Sequence, residues 1–318
     1  MFSKNILPFS VFFVKDYFKN NIQILPVIFV RKEQGKRLAI FFEYDILKIM
    51  KFYGGSFMAD IKLGIQLYTL RDHIQTAQDF DATLKRLHNM GVRVIQISGI
   101  GPIDPQTTAD IVRKYDMDVC VTHKDFNRML NDLDAMIDEH KLIDCDCMGI
   151  GGMPGEARES AEAVRAFIAK ATEIGKAMRE RGERFCYHNH DFEFKKVDGD
   201  KTIMDILLEE TDPDLFWFIP DVAWMHYAGV NPAEYLEKIK GRVKVLHFKD
   251  YILPDGERKF CSLGKGLVNL EDCYKACQKL GIPYIVYEQD IDWVDNDPFK
   301  ATEESWAYMN ELAAKCAE

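Results

Sequence analysis

The stretch Phe185-Cys186-Tyr187-His188-Asn189-His190-Asp191 decides the fold. A short apolar run breaks off into polar, chemistry-bearing side chains. A run this short, flanked by longer amphipathic segments, reads as a strand buried on both faces. Working outward, the same unit recurs. Apolar runs lie at Ile61–Tyr68, Val92–Ile97, Val119–Thr122, Cys147–Ile150, Leu215–Ile219, Val243–Phe248 and Tyr284–Tyr287. Helical patterns separate them: Phe80–Met90 closed by Gly91, Pro105–Tyr115, residues 126–140, Ala157–Arg181, Ile203–Glu209, Pro232–Lys240, Leu270–Leu280 closed by Gly281, and Asp297–Cys316. Eight strand–helix repeats in about 260 residues fit a closed (β/α)8 barrel. The competitor is an open, doubly wound sheet, which carries a glycine fingerprint after its first strand. Here that position reads Tyr68-Thr69-Leu70-Arg71. With no low-complexity linker, residues 58–318 read as one domain.

Bulk composition is consistent with this. The 318 residues are 47% hydrophobic, enough for a sizeable core, and the net charge of -10 argues against nucleic acid as a partner. No apolar run is long enough to span a membrane. The eight cysteines show no zinc spacing, and buried, reduced thiols in a cytoplasmic protein are the expectation. Residues 1–57 stand apart: rich in Phe, Ile and Lys, without a clear period. We expect a poorly ordered, non-native extension, with translation starting at Met58. Intact mass of protein expressed from its own upstream DNA tests this, and a product retaining Met1 would refute it.

In such barrels the chemistry sits at the C-terminal ends of the strands, and the polar residues fall there. Strand three ends near His123, five in His188-Asn189-His190-Asp191, six in Asp221, seven in His247-Phe248-Lys249-Asp250 and eight in Glu288-Gln289-Asp290. Side chains alternate along a strand, so His188 and His190 share one face, as do His247 and Lys249. A single histidine at a strand end is more often a packing residue. Chemistry-bearing residues at four successive strand ends make a metal site the better reading. Two imidazoles with two carboxylates suit Mn²⁺, Zn²⁺, Fe²⁺ or Co²⁺ better than Ca²⁺. Trp224 and Tyr227 could stack on a sugar ring, whereas Trp217 reads as core or rim packing. The loop Gly264-Lys265-Gly266 either approaches a ligand or merely turns the chain.

Several segments carry a resemblance: YHNHDFEF (187–194), PDVAWMHYAG (220–229), VLHFKD (245–250), LGKGLVNLED (263–272), IVYEQD (285–290) and the opening LGIQLYTLRD (63–72). Together they resemble the sugar phosphate isomerase/epimerase superfamily, the xylose isomerase-like TIM barrels related to endonuclease-IV-type proteins, across roughly the whole barrel. The resemblance implies one divalent ion, most often Mn²⁺, held by Glu, Asp, His and Glu on strands five to eight. Position by position the last three fall on Asp221, His247 and Glu288. The first departs: His188 stands where the family usually has glutamate.

The expected function is that of a sugar isomerase or epimerase. Such an enzyme would remove a proton next to a carbonyl and pass through a metal-stabilised enediolate. Glu288 serves as ligand and base, with His190, Glu193 or Lys249 as the second proton carrier; of these, His190 and Lys249 are chosen as acid/base or orienting groups. His123, Glu193, Trp224, His226 and Lys265 are candidate substrate contacts. The missing glutamate pulls toward a second reading, a metal-dependent lyase or dehydratase on a keto-sugar, keto-polyol or 3-keto-glycoside, since a related branch with a His-rich fifth strand resembles inosose dehydratase. A third is a sugar-binding barrel without catalysis. The expected partner is a small sugar or keto-sugar. Barrels of this family often pair, so a homodimer is carried as an implication of the resemblance.

Overall fold

The computed structural model describes residues 60–317 and three strands nearer the N-terminus, Ser10–Phe12 (β1), Leu25–Glu33 (β2) and Lys36–Tyr44 (β3). The chain divides into two compact units, Met1–Met58 and Ala59–Glu318. In the first, β1, β2 and β3 form an antiparallel sheet, with β2 and β3 in register from Leu25↔Tyr44 to Glu33↔Lys36. Both long strands, LPVIFVRKE and KRLAIFFEY, are rich in branched and aromatic residues, which favour strands. Their apolar residues run on rather than alternate, which hides the strand period from a sequence reading. The rest of the segment expected to be a poorly ordered extension lies outside the described residues.

The second unit is the barrel. Its strands are β4 (Lys62–Gln66), β5 (Val94–Ile97), β6 (Asp118–His123), β7 (Cys147–Ile150), β8 (Arg184–His188), β11 (Phe216–Ile219), β12 (Val245–Phe248) and β15 (Tyr284–Tyr287). They form one parallel eight-stranded sheet in the order β11-β8-β7-β6-β5-β4-β15-β12. Between β11 and β12 the barrel is nearly closed, by isolated bridges Phe218↔Val243 and Asp221↔His247. Pro220 has no N–H to give, but its carbonyl accepts from His247 N at 2.8 Å. Asp221 and His247 therefore face each other across the seam.

Helices cover the outside: α1 (Ala77–Asn89), α2 (Pro105–Lys114), α3 (Phe126–Asn131), α4 (Leu133–Leu142), α5 (Ala161–Glu180), α6 (Ile203–Glu210), α7 (Val222–Tyr227), α8 (Pro232–Lys238), α9 (Leu270–Leu280) and α10 (Pro298–Cys316). Two sequence boundaries are corrected. The helix expected over 126–140 is two, broken at Asp132, whose φ of -146° is not helical. The long helix expected from Ala157 starts at Ala161, because Ser160 caps it by accepting from Ala163 N at 3.2 Å. The short helix α7 and the hairpins β9 (Lys196–Asp198)/β10 (Lys201–Thr202) and β13 (Asp250–Ile252)/β14 (Lys259–Cys261) fall in stretches to which the sequence pattern assigns no element.

Side chains inside the barrel are stacked in layers. An apolar and thiol layer of Val94, Cys120, Cys147, Cys186, Ile219, Val245 and Val286 fills the middle. All eight cysteines are free thiols. Trp217 packs against this layer with the Arg184 guanidinium 5.1 Å from its ring, so it is a packing residue. Two residues further along β8, β12 and β15 come His188, His247 and Glu288, at the C-terminal mouth.

Candidate active site

Four side chains converge at that mouth. His188, Asp221, His247 and Glu288 are all buried, and one potential ligand atom from each lies within 4.8 Å of the others. His188 Nε2 stands 3.5 Å from Asp221 Oδ2 and 3.8 Å from Glu288 Oε2. His247 Nδ1 is 3.0 Å from the same Glu288 oxygen.

The outer faces of the two imidazoles decide how the inner faces behave. His188 Nδ1 lies 3.3 Å from the Gly151 carbonyl, and His247 Nε2 lies 2.7 Å from Gln96 Oε1. With a ring N–H given to each of these acceptors, His188 Nε2 and His247 Nδ1 are the nitrogens left facing the carboxylates, and His247 Nδ1 lies within hydrogen-bond distance of Glu288 Oε2, at 3.0 Å. His188 Nε2 is buried with no hydrogen-bond partner, and Asp221 Oδ2, also without a hydrogen bond, has the Lys249 ammonium 3.2 Å away. Buried orphan atoms are costly, and a cation between them removes the cost. Ring N–H groups held by fixed acceptors, with lone pairs converging, are what metal-binding histidines require. The donor set fits a divalent ion.

Asp221 is further fixed by its surroundings. Its Oδ1 caps α7, accepting from Ala223 N at 2.9 Å and Trp224 N at 3.0 Å, which leaves Oδ2 for the mouth. Asn189, on the opposite face from His188, accepts from Asp221 N at 3.1 Å. Lys249 is 1% exposed, with its Nζ 3.2 Å from Asp221 Oδ2, 3.0 Å from Glu288 Oε2 and 2.9 Å from Asp290 Oδ2. Burial would raise the Glu288 carboxyl, but the charge of Lys249 holds it well below the usual range. Burial likewise opposes ionisation of Asp221, and the Lys249 charge prevails to lower it. Both carboxylates are thus ionised near neutral pH. Burial drives His190 down to about 3, with the Lys249 charge adding to it, so its ring is neutral.

A cavity of about 310 Å³ opens onto this group, lined among others by Tyr68, Ser98, His123, His190, Lys249 and Asp290. His123 Nε2 and His190 Nδ1 are buried there without partners. Trp224 stands against His190, ring centroids 5.1 Å apart, and its Nε1 is also unpartnered. The other sequence candidates sit elsewhere. Glu193 is fully buried, accepting from Tyr187 Oη at 2.6 Å and His190 N at 2.7 Å, so it braces the His190 loop from behind. The His226 ring is bonded to Tyr251 Oη at 2.8 Å. Lys265 pairs with Glu304 at 2.6 Å on α10 and does not line the cavity. Its loop wraps the Asp250 carboxylate, which accepts from Gly264 N, Gly266 N and Val268 N. A Cβ on Gly266 would lie 2.1 Å from Asp250 Oδ1, so that glycine serves this internal turn.

Sequence reading missed Gln96, Asn189, Gly151 and the closeness of Asp290. Gln96 left a trace: it interrupts the apolar run Val94–Ile97, and a polar residue inside a buried strand asks for a partner. Gly151 acts through its carbonyl and Asp290 through loop placement, which leave none, and Asn189 acts through its side chain on the face that strand parity turns away from His188.

The fold and site define a class. The family model for the xylose isomerase-like TIM barrel matches residues 120–312, and the chain belongs to that family. Among curated proteins it is similar to an inosose dehydratase of Clostridium beijerinckii, 22% identical over 259 residues, covering 76% of this chain and 72% of that one. Among solved structures it is similar to a sugar phosphate isomerase/epimerase from Parabacteroides distasonis, with TM-score 0.67 and 23% identity, covering 80% of this chain and 97% of that one. It also resembles an L-ribulose 3-epimerase, with TM-score 0.61 and 13% identity, covering 82% and 97%. At these identities the structural likenesses establish the fold.

Proposed function

We propose that this barrel is a divalent-metal-dependent enzyme that removes the proton next to a carbonyl of a small polyhydroxylated ketone, and that the reaction is completed by loss of water. The observation that carries the metal reading is the convergence of His188, Asp221, His247 and Glu288, one potential ligand atom of each within 4.8 Å of the others, with His188 Nδ1 against the Gly151 carbonyl and His247 Nε2 against Gln96 Oε1. His188, Asp221, His247 and Glu288 would hold the ion, with Mn²⁺ the first candidate and Zn²⁺, Fe²⁺ and Co²⁺ alternatives. Bound there, it would supply Lewis acidity, making the proton beside the carbonyl easier to remove.

The chain's own residues do the rest. Glu288, ionised, accepts the proton from carbon. The Lys249 ammonium faces the negative charge that develops on the substrate and donates to the departing hydroxyl. His190, neutral and with a free ring nitrogen, orients a substrate hydroxyl, as does His123. The carbon–hydrogen bond gives its proton to Glu288, and the carbon–oxygen bond releases water. Elimination is placed ahead of isomerisation because His188 removes one of the two glutamates that would exchange protons on opposite faces, and because the curated relative is an inosose dehydratase. Isomerisation or epimerisation, which the sequence reading puts first, is the second reading. The Lys249 ammonium, which lines the cavity and carries a proton to return, favours it.

A panel of keto-inositols, ketoses and 3-keto-glycosides, incubated with Mn²⁺-loaded protein and read by mass spectrometry, separates the readings. Loss of water from a keto-polyol is the expected result. A product of unchanged mass would move the assignment to isomerase or epimerase. Metal binding with no turnover on any member would leave a sugar-binding barrel.

A further inference from the structure

Lys249 is an unusual neighbour for a metal site. Its ammonium lies 3.2 Å from Asp221 Oδ2 and 3.0 Å from Glu288 Oε2, the same two oxygens that face His188 Nε2. A divalent ion bound by those oxygens and a cationic nitrogen this close would compete for the same negative charge. Yet the aligned hydrogen bond of Lys249 goes elsewhere, to Asp290 Oδ2 at 2.9 Å, and Asp290 belongs to the cavity wall rather than to the converging four. The ammonium is thus shared between two prospective ligands and one acceptor outside them.

The geometry points to Lys249 as a built-in counter-ion that holds the Asp221 and Glu288 carboxylates in the metal-free protein and is handed over to Asp290 when the metal binds. This rests on the metal-site reading above. Two buried carboxylates without a partner would strongly destabilise the barrel, and the ammonium supplies that partner before metal arrives. The same charge sets metal affinity below what the donor set alone would give. Asp290 limits the penalty by giving the displaced ammonium an acceptor. Lys249 is therefore a positioning residue toward the ion, whatever it does to substrate.

A double-mutant cycle on metal affinity tests this. Protein stripped with chelator is titrated with Mn²⁺ by calorimetry for wild type, Lys249→Met, Asp290→Asn and the double variant. Lys249→Met should bind Mn²⁺ tighter by at least about tenfold, while its metal-free form melts below wild type. Asp290→Asn should weaken binding by roughly tenfold in the wild-type background and have little effect once Lys249 is gone. Unchanged or weaker affinity in Lys249→Met would overturn the inference while leaving the metal site standing. So would an Asp290→Asn effect of equal size in both backgrounds, because Asp290 would then act on the ion directly. If Lys249→Met does not fold, Asp290→Asn alone decides, and unchanged affinity refutes the hand-over. No binding in any of the four proteins would defeat the metal reading and this inference together.

Discussion

The two ends of this barrel are made from the same strands and behave in opposite ways. At the N-terminal end, Arg184 and Lys244 both pair with Asp146, and Asp118 accepts from Lys62 at 2.8 Å and from Tyr284 Oη at 3.0 Å. At the C-terminal end the same strands lead into His188, His247 and Glu288, beside unpartnered atoms of His123, His188, His190, Asp221 and Trp224. The larger cavity, about 720 Å³, lies at the paired end, lined by Lys62, Arg93, Asp118 and Trp306 among others; the mouth holds about 310 Å³. Volume alone would choose the paired end. Unsatisfied buried polar atoms occur elsewhere too, on the His140–Glu183 pair, but at the mouth five residues, His123, His188, His190, Asp221 and Trp224, each hold one, and a folded chain tolerates such a cluster where a ligand completes it.

The contrast breaks most sharply at Glu288. Glu288→Gln should lower turnover by about 10³-fold or more, since it removes both a proposed ligand and the proposed base. A variant within tenfold of wild type would mean that another group takes the proton. A smaller effect separates support from chemistry. Burial pushes the Glu193 carboxyl up to about 7, against about 4.3 in an unfolded chain. A folded value above the unfolded one contributes stability that is fully present below about 4.3 and lost as pH rises through about 7. Wild type should therefore lose on the order of 3 kcal/mol relative to Glu193→Gln between roughly pH 4.5 and 7.5. Denaturant unfolding across that range checks it, and parallel curves would place the Glu193 titration elsewhere. The smallest effect belongs to the paired end. Asp146 is nearly half exposed, so Asp146→Asn should cost roughly 1 kcal/mol of stability and leave turnover unchanged. A loss of turnover there would erase the distinction between the two ends.

The barrel was legible in the sequence because its strands are short apolar runs at regular spacing. Cys147–Ile150, Leu270–Leu280 and Tyr284–Tyr287 agree with the structure to the residue. Helix α7 escaped because its start depends on the Asp221 carboxylate, which was read only as a ligand. The four-residue cluster could be read because strand parity sends His188 and His190, or His247 and Lys249, to one face. Parity does not measure depth, however. It could not show that Glu193 turns behind His190, that Lys265 belongs to a loop around Asp250, or that Lys249 reaches the carboxylates. Those depend on how loops fold back over the mouth. The antiparallel pair β2–β3 was missed for the opposite reason, an apolar run too continuous to show its period.

One divalent ion, held at the mouth through a histidine where the family usually has glutamate, is the core of the proposed function. Calorimetric titration of chelator-stripped protein with Mn²⁺, repeated on His188→Ala, tests it directly. One ion per chain is expected in the wild type, with affinity reduced at least about tenfold in His188→Ala. Binding of equal strength in His188→Ala, or none in the wild type with Mn²⁺, Zn²⁺, Fe²⁺ or Co²⁺, would contradict the proposal.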